Sequence, residues 1–128
     1  MRLLLDTHAL LWWITDSVQL SAAARQSIAA GSNQLFWSAA SSWEVGIKFA
    51  LSRLALPAPP EDYLPYHLEL NAIERLPISE RHAYRAAALP QHHADPFDRI
   101  LVAQAQVEGL RLVTGDPLLS RYEIKIVW

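Results

Sequence analysis

The chain of 128 residues contains no cysteine. A disulfide framework, a thiolate zinc site, an iron–sulfur cluster and a cysteine nucleophile are thereby excluded. No stretch approaches the roughly 18 to 20 apolar residues needed to span a bilayer. The apolar opening, Leu3–Leu5 and Ala9–Ile14, is interrupted by Asp6 and His8, and no small-residue cleavage pattern follows it, so it does not read as a signal peptide. The expectation is a cytoplasmic protein with no membrane partner. Neither sign of charge dominates: 11 Lys and Arg face 13 Asp and Glu, for a formal net charge of −2. That argues against a globally basic binder whose affinity comes from neutralising phosphates. It leaves open an enzyme acting on nucleic acid, because a bound metal can supply the positive charge. Internal repeats, low-complexity tracts, long charge runs and dividing linkers are also missing. What is present is apolar, 52% of residues with 5 Trp, 4 Tyr and 3 Phe. A disordered chain would lack that surface, and residues 1–128 are expected to form one domain around one core.

Short apolar runs alternate with longer periodic segments. Leu3-Leu4-Leu5 reads as a buried strand ended by Asp6-Thr7, followed by a short helix over Ala9–Ile14. Ser21 is placed to cap a helix Ala22–Ala30 that ends at Gly31. Leu35-Phe36-Trp37 reads as a second strand, with Ser38 capping a helix to about Leu51. Four prolines make Leu56–Pro65 a loop, with at most a short helix after it. A third strand over Ile73–Leu76 and an Ala-rich helix from Ser79 to about Leu89 follow. After the loop Pro90–Asp95, a helix from Asp95-Pro96 to about Glu108 stops at Gly109. Leu110–Thr114 and Glu123–Val127 read as the last strands. Such alternation predicts an α/β fold of three layers, α/β/α, around a mainly parallel sheet of four to five short strands.

The positions of the acids carry the chemistry. Asp6 and Asp116 each directly follow a strand, and parallel sheets bind ligands beyond the carboxyl ends of their strands. For either residue alone, capping the next helix is an equally good account. Asp95 and Asp98 open a helix, where the dipole favours acids. Asp98, however, shares a face with Leu101, Val102 and Ala105. Glu44 similarly shares a face with Ala40, Ile47 and Leu51. A pair with Lys48 four residues on is worth only about a few tenths of a kcal/mol, too little to explain an acid on a buried face. Carboxylates brought together would repel, and a hard divalent cation such as magnesium or manganese relieves that repulsion.

These segments resemble a known family. Leu3-Leu4-Leu5-Asp6-Thr7-His8-Ala9-Leu10-Leu11-Trp12-Trp13 is similar to the opening of a PIN domain of the VapC toxin type. Ser38–Lys48, Asp95–Ala105 and Leu112–Asp116 resemble its other motifs in the same order, so that the likeness covers nearly the whole chain. The resemblance implies a ribonuclease dependent on Mg2+, with Mn2+ as the other candidate, whose acidic site is Asp6, Glu44, Asp98 and Asp116. It implies direct metal contact for Asp6 and Asp98, with Glu44 and Asp116 acting through water or closing a second site. Thr114 and Asp95 would support the site. It further implies an RNA substrate, a cognate antitoxin protein and a homodimer.

Other residues have competing readings. His8 suits a structural or substrate-adjacent role. His92 and His93 are expected to point apart, as adjacent side chains do more often than they chelate. Trp12, Trp13 and Trp43 read as core or dimer contacts in preference to base-stacking platforms. Arg99 and Lys48 are weak candidates for phosphate contacts, with salt bridging as the competing account. Two rival functions remain at this stage. An aspartyl-phosphate phosphatase would want a second Asp two residues after Asp6, where His8 stands. A non-catalytic PIN-like module binding RNA or protein would have no need to keep four acids.

Overall fold

A computed structural model describes all residues, Met1–Trp128. Strand β1 (Arg2–Leu5) runs into helix α1 (Thr7–Ile14), and α2 (Ala22–Ala29) leads to β2 (Gln34–Ser38). Helices α3 (Ala39–Ala50) and α4 (Pro60–Leu70) precede β3 (Ile73–Leu76). Helices α5 (Glu80–Ala88) and α6 (Pro96–Glu108) precede β4 (Arg111–Val113), and a 3-10 turn (Pro117–Arg121) precedes β5 (Ile126–Val127). The starts follow local chemistry. Asp6, Ser21, Ser38, Ser79 and Asp95 each cap a helix by accepting from a backbone N–H of its first turn. Gly109 ends α6 in the left-handed region at φ 66°, a conformation that costs glycine little. No helix is long and apolar enough to cross a membrane.

All five strands are parallel, in the order β3-β2-β1-β4-β5. The alternation of side chains along β1 divides the core into two layers. Leu3 and Leu5 pack with Leu10, Trp37, Val45, Leu64 and Leu68 on one face. Leu4 packs with Phe36, Leu101, Val102 and Leu112 on the other. The chain moves outward from β1 through β2 to β3, then returns to the opposite side of β1 for β4. Such a reversal opens a crevice at the carboxyl ends of the strands. The register Leu5↔Val113 and Leu5↔Trp37 brings Asp6, Thr114 and Ser38 side by side at that edge.

The structure differs from expectation in three places. The segment expected to be a loop is itself helical from Pro60 onward: α4 spans eleven residues and contains Pro65. Pro60 occupies the first turn, where its missing N–H costs nothing. Pro65 removes one hydrogen bond, yet burial of Tyr63, Leu64 and Leu68, at about 1.5–3 kcal/mol for a large apolar side chain, offsets the loss. Helix α1 begins two residues early because Asp6 caps it. The last strand shrinks to two residues, because the chain bends through Tyr122–Ile124, where the Ile124 N–H donates back to the Tyr122 carbonyl.

Candidate functional site

Asp6 stands one residue past β1. Its backbone N–H donates to the Val113 carbonyl at 3.0 Å, extending the ladder between β1 and β4. Its Oδ1 accepts from the Ala9 N–H at 2.7 Å. Capping and site placement therefore coexist in one residue. Asp116 repeats the arrangement after β4: its Oδ1 accepts from the Leu118 N–H at 2.9 Å, and its own N–H donates to the hydroxyl of buried Thr114 at 3.2 Å.

Two helices supply the other acids. Glu44 on α3 is only 5% exposed. Its Oε1 accepts from the Thr7 hydroxyl at 2.6 Å and its Oε2 pairs with Lys48 Nζ at 2.6 Å. Asp95 caps α6, accepting from the Phe97 and Asp98 N–H groups at 2.8 and 3.2 Å. That cap turns the Asp98 carboxylate towards the crevice. There His93 Nε2 lies 3.0 Å from Asp98 Oδ2 and 3.0 Å from Asp116 Oδ2. His93 Nδ1 accepts from the Asp95 N–H at 3.3 Å, which leaves the ring proton on Nε2. One imidazole N–H is thus shared between the helix acid and the strand-end acid.

The electrostatics join these groups. Burial pushes the Asp98 carboxyl up to about 7, and the neighbouring charges of Asp95, Glu44 and Asp6 push the same way against the pull of His93. Asp6 is also raised, by burial first and by Glu44, while the Thr114 hydroxyl, the Ala9 amide and His8 oppose the rise. Asp6, Glu44 and Asp98 therefore feel one another, and His93 ties Asp116 to them. A crowded set of carboxylate oxygens with few compensating cations fits a hard divalent ion. Ligand atoms of His93, Asp98 and Asp116 lie within 4.8 Å of one another.

Two expected phosphate contacts are engaged within the chain. Lys48 neutralises Glu44. The Arg99 guanidinium donates to the carbonyls of Ala86, Leu89, Pro90 and His93 at 2.9 to 3.3 Å, so it staples the loop before α6 in place of meeting solvent. His92 and His93 do point apart, His92 packing edge-on against Tyr122. Neither His93 nor Thr7 belongs to a sequence pattern that marks a site role. The only hint for Thr7 was its place directly after Asp6, and His93 meets Asp116 only through the fold. Trp12 and Trp13 are half-buried against the core.

Comparison with known proteins agrees with this architecture. The sequence profile of the PIN domain matches residues 3–125. Ribonuclease VapC22 of Mycobacterium tuberculosis is 34% identical over 120 residues, covering 93% of this chain and 90% of that protein. In structure the chain is similar to VapBC2 from Rickettsia felis bound to a promoter DNA fragment, with a TM-score of 0.72 at 16% identity over 98% of this chain and 97% of that one. It is also similar to FitAcB from Neisseria gonorrhoeae, with a TM-score of 0.66 at 20% identity over 97% and 95% of the two chains. A fold of five parallel strands with acids at the switch point, and a profile match from the first strand to the last loop, make this chain a member of the PIN-domain family.

Proposed function

We propose that this chain is a metal-dependent endoribonuclease, the toxin of a toxin–antitoxin pair, that hydrolyses RNA phosphodiester bonds in the cytoplasm. Residues 1–128 act as a single PIN domain in this reading. What supports it is the placement of Asp6 and Asp116 directly after β1 and β4, with His93 bridging Asp116 to Asp98 and with Glu44 raising the charge cost of Asp6 and of Asp98. Similarity to a protein named as a ribonuclease, and a fold shared with a toxin–antitoxin complex from Klebsiella pneumoniae, support the same assignment.

Asp6 and Asp98 would hold Mg2+, or Mn2+ on the same oxygens, directly. Glu44 and Asp116 would act through water or close a second site. A divalent ion held there would supply positive charge against the phosphate and lower the cost of deprotonating an attacking water. The chain's own residues prepare that arrangement. Thr114 fixes the Asp116 backbone and Asp95 sets the start of α6. Water as nucleophile leaves 5′-phosphate and 3′-hydroxyl ends. A cognate antitoxin and a second copy of the chain complete the expected partners.

The test is RNA cleavage by wild type and Asp6→Asn, with and without Mg2+. Cleavage only by wild type in Mg2+, leaving 5′-phosphate ends, is the expected result. Cleavage by Asp6→Asn at the wild-type rate would overturn the mechanism.

A further inference from the structure

Beside the acids lies an open cleft of about 520 Å³ whose floor includes Asp6 and Asp116. We propose that this cleft is a nucleobase subsite, in which Trp12 and Trp128 hold a base of the bound RNA and the Gln19 carboxamide meets its edge. The inference rests on the RNA-cleaving reading above and extends it to substrate selection.

The wall of the cleft is aromatic. His8 and Trp12 have ring centroids 5.4 Å apart at 40°, and Trp12 and Trp128 are 5.9 Å apart at 54°. The rings are tilted against one another, so that they form a continuous aromatic wall instead of a closed stack. Trp12 is anchored by packing against the core cluster. Trp128, 37% exposed, lies directly over Gly115: a Cβ at that position would stand 2.6 Å from its indole. Glycine between Thr114 and Asp116 therefore lets an aromatic surface approach within one residue of a site carboxylate.

Gln19 adds the polar component. It is exposed on the rim, and its one hydrogen bond within the chain uses the backbone N–H, donated to Ser17 Oγ at 3.2 Å. The carboxamide donor and acceptor both remain available, and they match the paired donor and acceptor edges of bases. Stacking on indole is tolerant of sequence, whereas a carboxamide is not. The combination favours a nucleotide that is bound by its ring and selected by its edge. Because Asp6 and Asp116 line the same cleft, that nucleotide adjoins the phosphate to be cut.

The rings border an open space that Asp6 and Asp116 also line. A side chain of a protein partner is the competing occupant. The experiment maps cleavage of a mixed-sequence RNA in Mg2+ by wild type, Trp128→Ala, Trp128→Phe and Gln19→Ala, with Mn2+ affinity and melting temperature measured in parallel. Trp128→Ala is expected to lower kcat/KM by about tenfold or more, with Trp128→Phe restoring most of it. Gln19→Ala, exposed and free of structural bonds from its side chain, should fold normally and relax the base preference at one position beside the cut. Mn2+ affinity should stay at the wild-type value throughout. Wild type that cuts RNA while all variants cut the same sites with the same kcat/KM would overturn the subsite alone and leave the wall to a protein partner. Wild type that cuts no RNA in Mg2+ would overturn the parent reading and the subsite together.

Discussion

Asp98 shows how a single proton links stability to ion binding. Its carboxyl is raised from 3.8 to about 7 in the folded chain, first by burial and then by Asp95, with Glu44 and Asp6 adding. Between those two values the folded state keeps a proton that the unfolded state has released. Stability of the metal-free protein should therefore fall as pH rises from about 4 to about 7 and level off above it. Urea titrations across that range in a chelator test this, and stability that rises with pH would contradict it. Asp98→Asn removes the charge while keeping the shape. At pH 8 it is expected to raise the metal-free melting temperature by about 4 °C for each kcal/mol of relieved repulsion. It should also abolish the further rise that Mg2+ gives the wild type by binding the native state. A metal-induced rise that survives Asp98→Asn would remove Asp98 from the ion's contacts. Glu44 and Asp98 stand out in the sequence as carboxylates on apolar helix faces, although Leu51 of the Glu44 face is 57% exposed, and Asp6 and Asp116 stand out by following strands. His93 was not legible as their bridge. It stands 23 residues from Asp116, and only the packing of the loop before α6 against the end of β4 brings the two together.

Among the elements, that loop and α4 depend most on contacts invisible in local sequence. Arg99 satisfies four carbonyls from the end of α5 through the following loop, and a planar guanidinium can reach several where an ammonium cannot. Arg99→Lys is expected to loosen the loop, weaken Mn2+ binding by about tenfold through the misplaced His93 and Asp98, and leave the far-UV spectrum unchanged. Calorimetric titration with Mn2+ checks it, and unaltered affinity would mean that the loop holds without the staple. In α4 the balance runs between Pro65 and the buried side chains. Leu68→Ala should cost about 2–5 kcal/mol, read from urea unfolding, because Leu68 is 2% exposed. Reading Leu56–Pro65 from its prolines understated the following helix for a physical reason: local propensity carries no information about what a face will be packed against. The strands were easier, since buried parallel strands are continuous apolar runs, and Ser and Asp caps marked the starts of most helices.

At the scale of the whole molecule, the fold places residues from four separate regions at one edge of one sheet. Asp6 and Glu44 come from the first part of the chain, and Asp98 and Asp116 from the last. The sheet itself is equally non-local, because β1 lies between β2 and β4. A fragment ending at Leu110 would retain three of the four acids, yet it would leave one side of β1 without its partner and expose Leu5 and Leu4. Such a fragment is expected to show little cooperative unfolding by circular dichroism and no RNA cleavage. A cooperative, active fragment would show that β4 is dispensable. The pairing of β1 with β4 also bears on how the chain is made. Translation proceeds from the amino terminus, so Asp6 leaves the ribosome more than a hundred residues before Asp116, and β1 must wait for β4. The site of Asp6 is thus unfinished until the strand that leads to Asp116 has been made and has paired with β1.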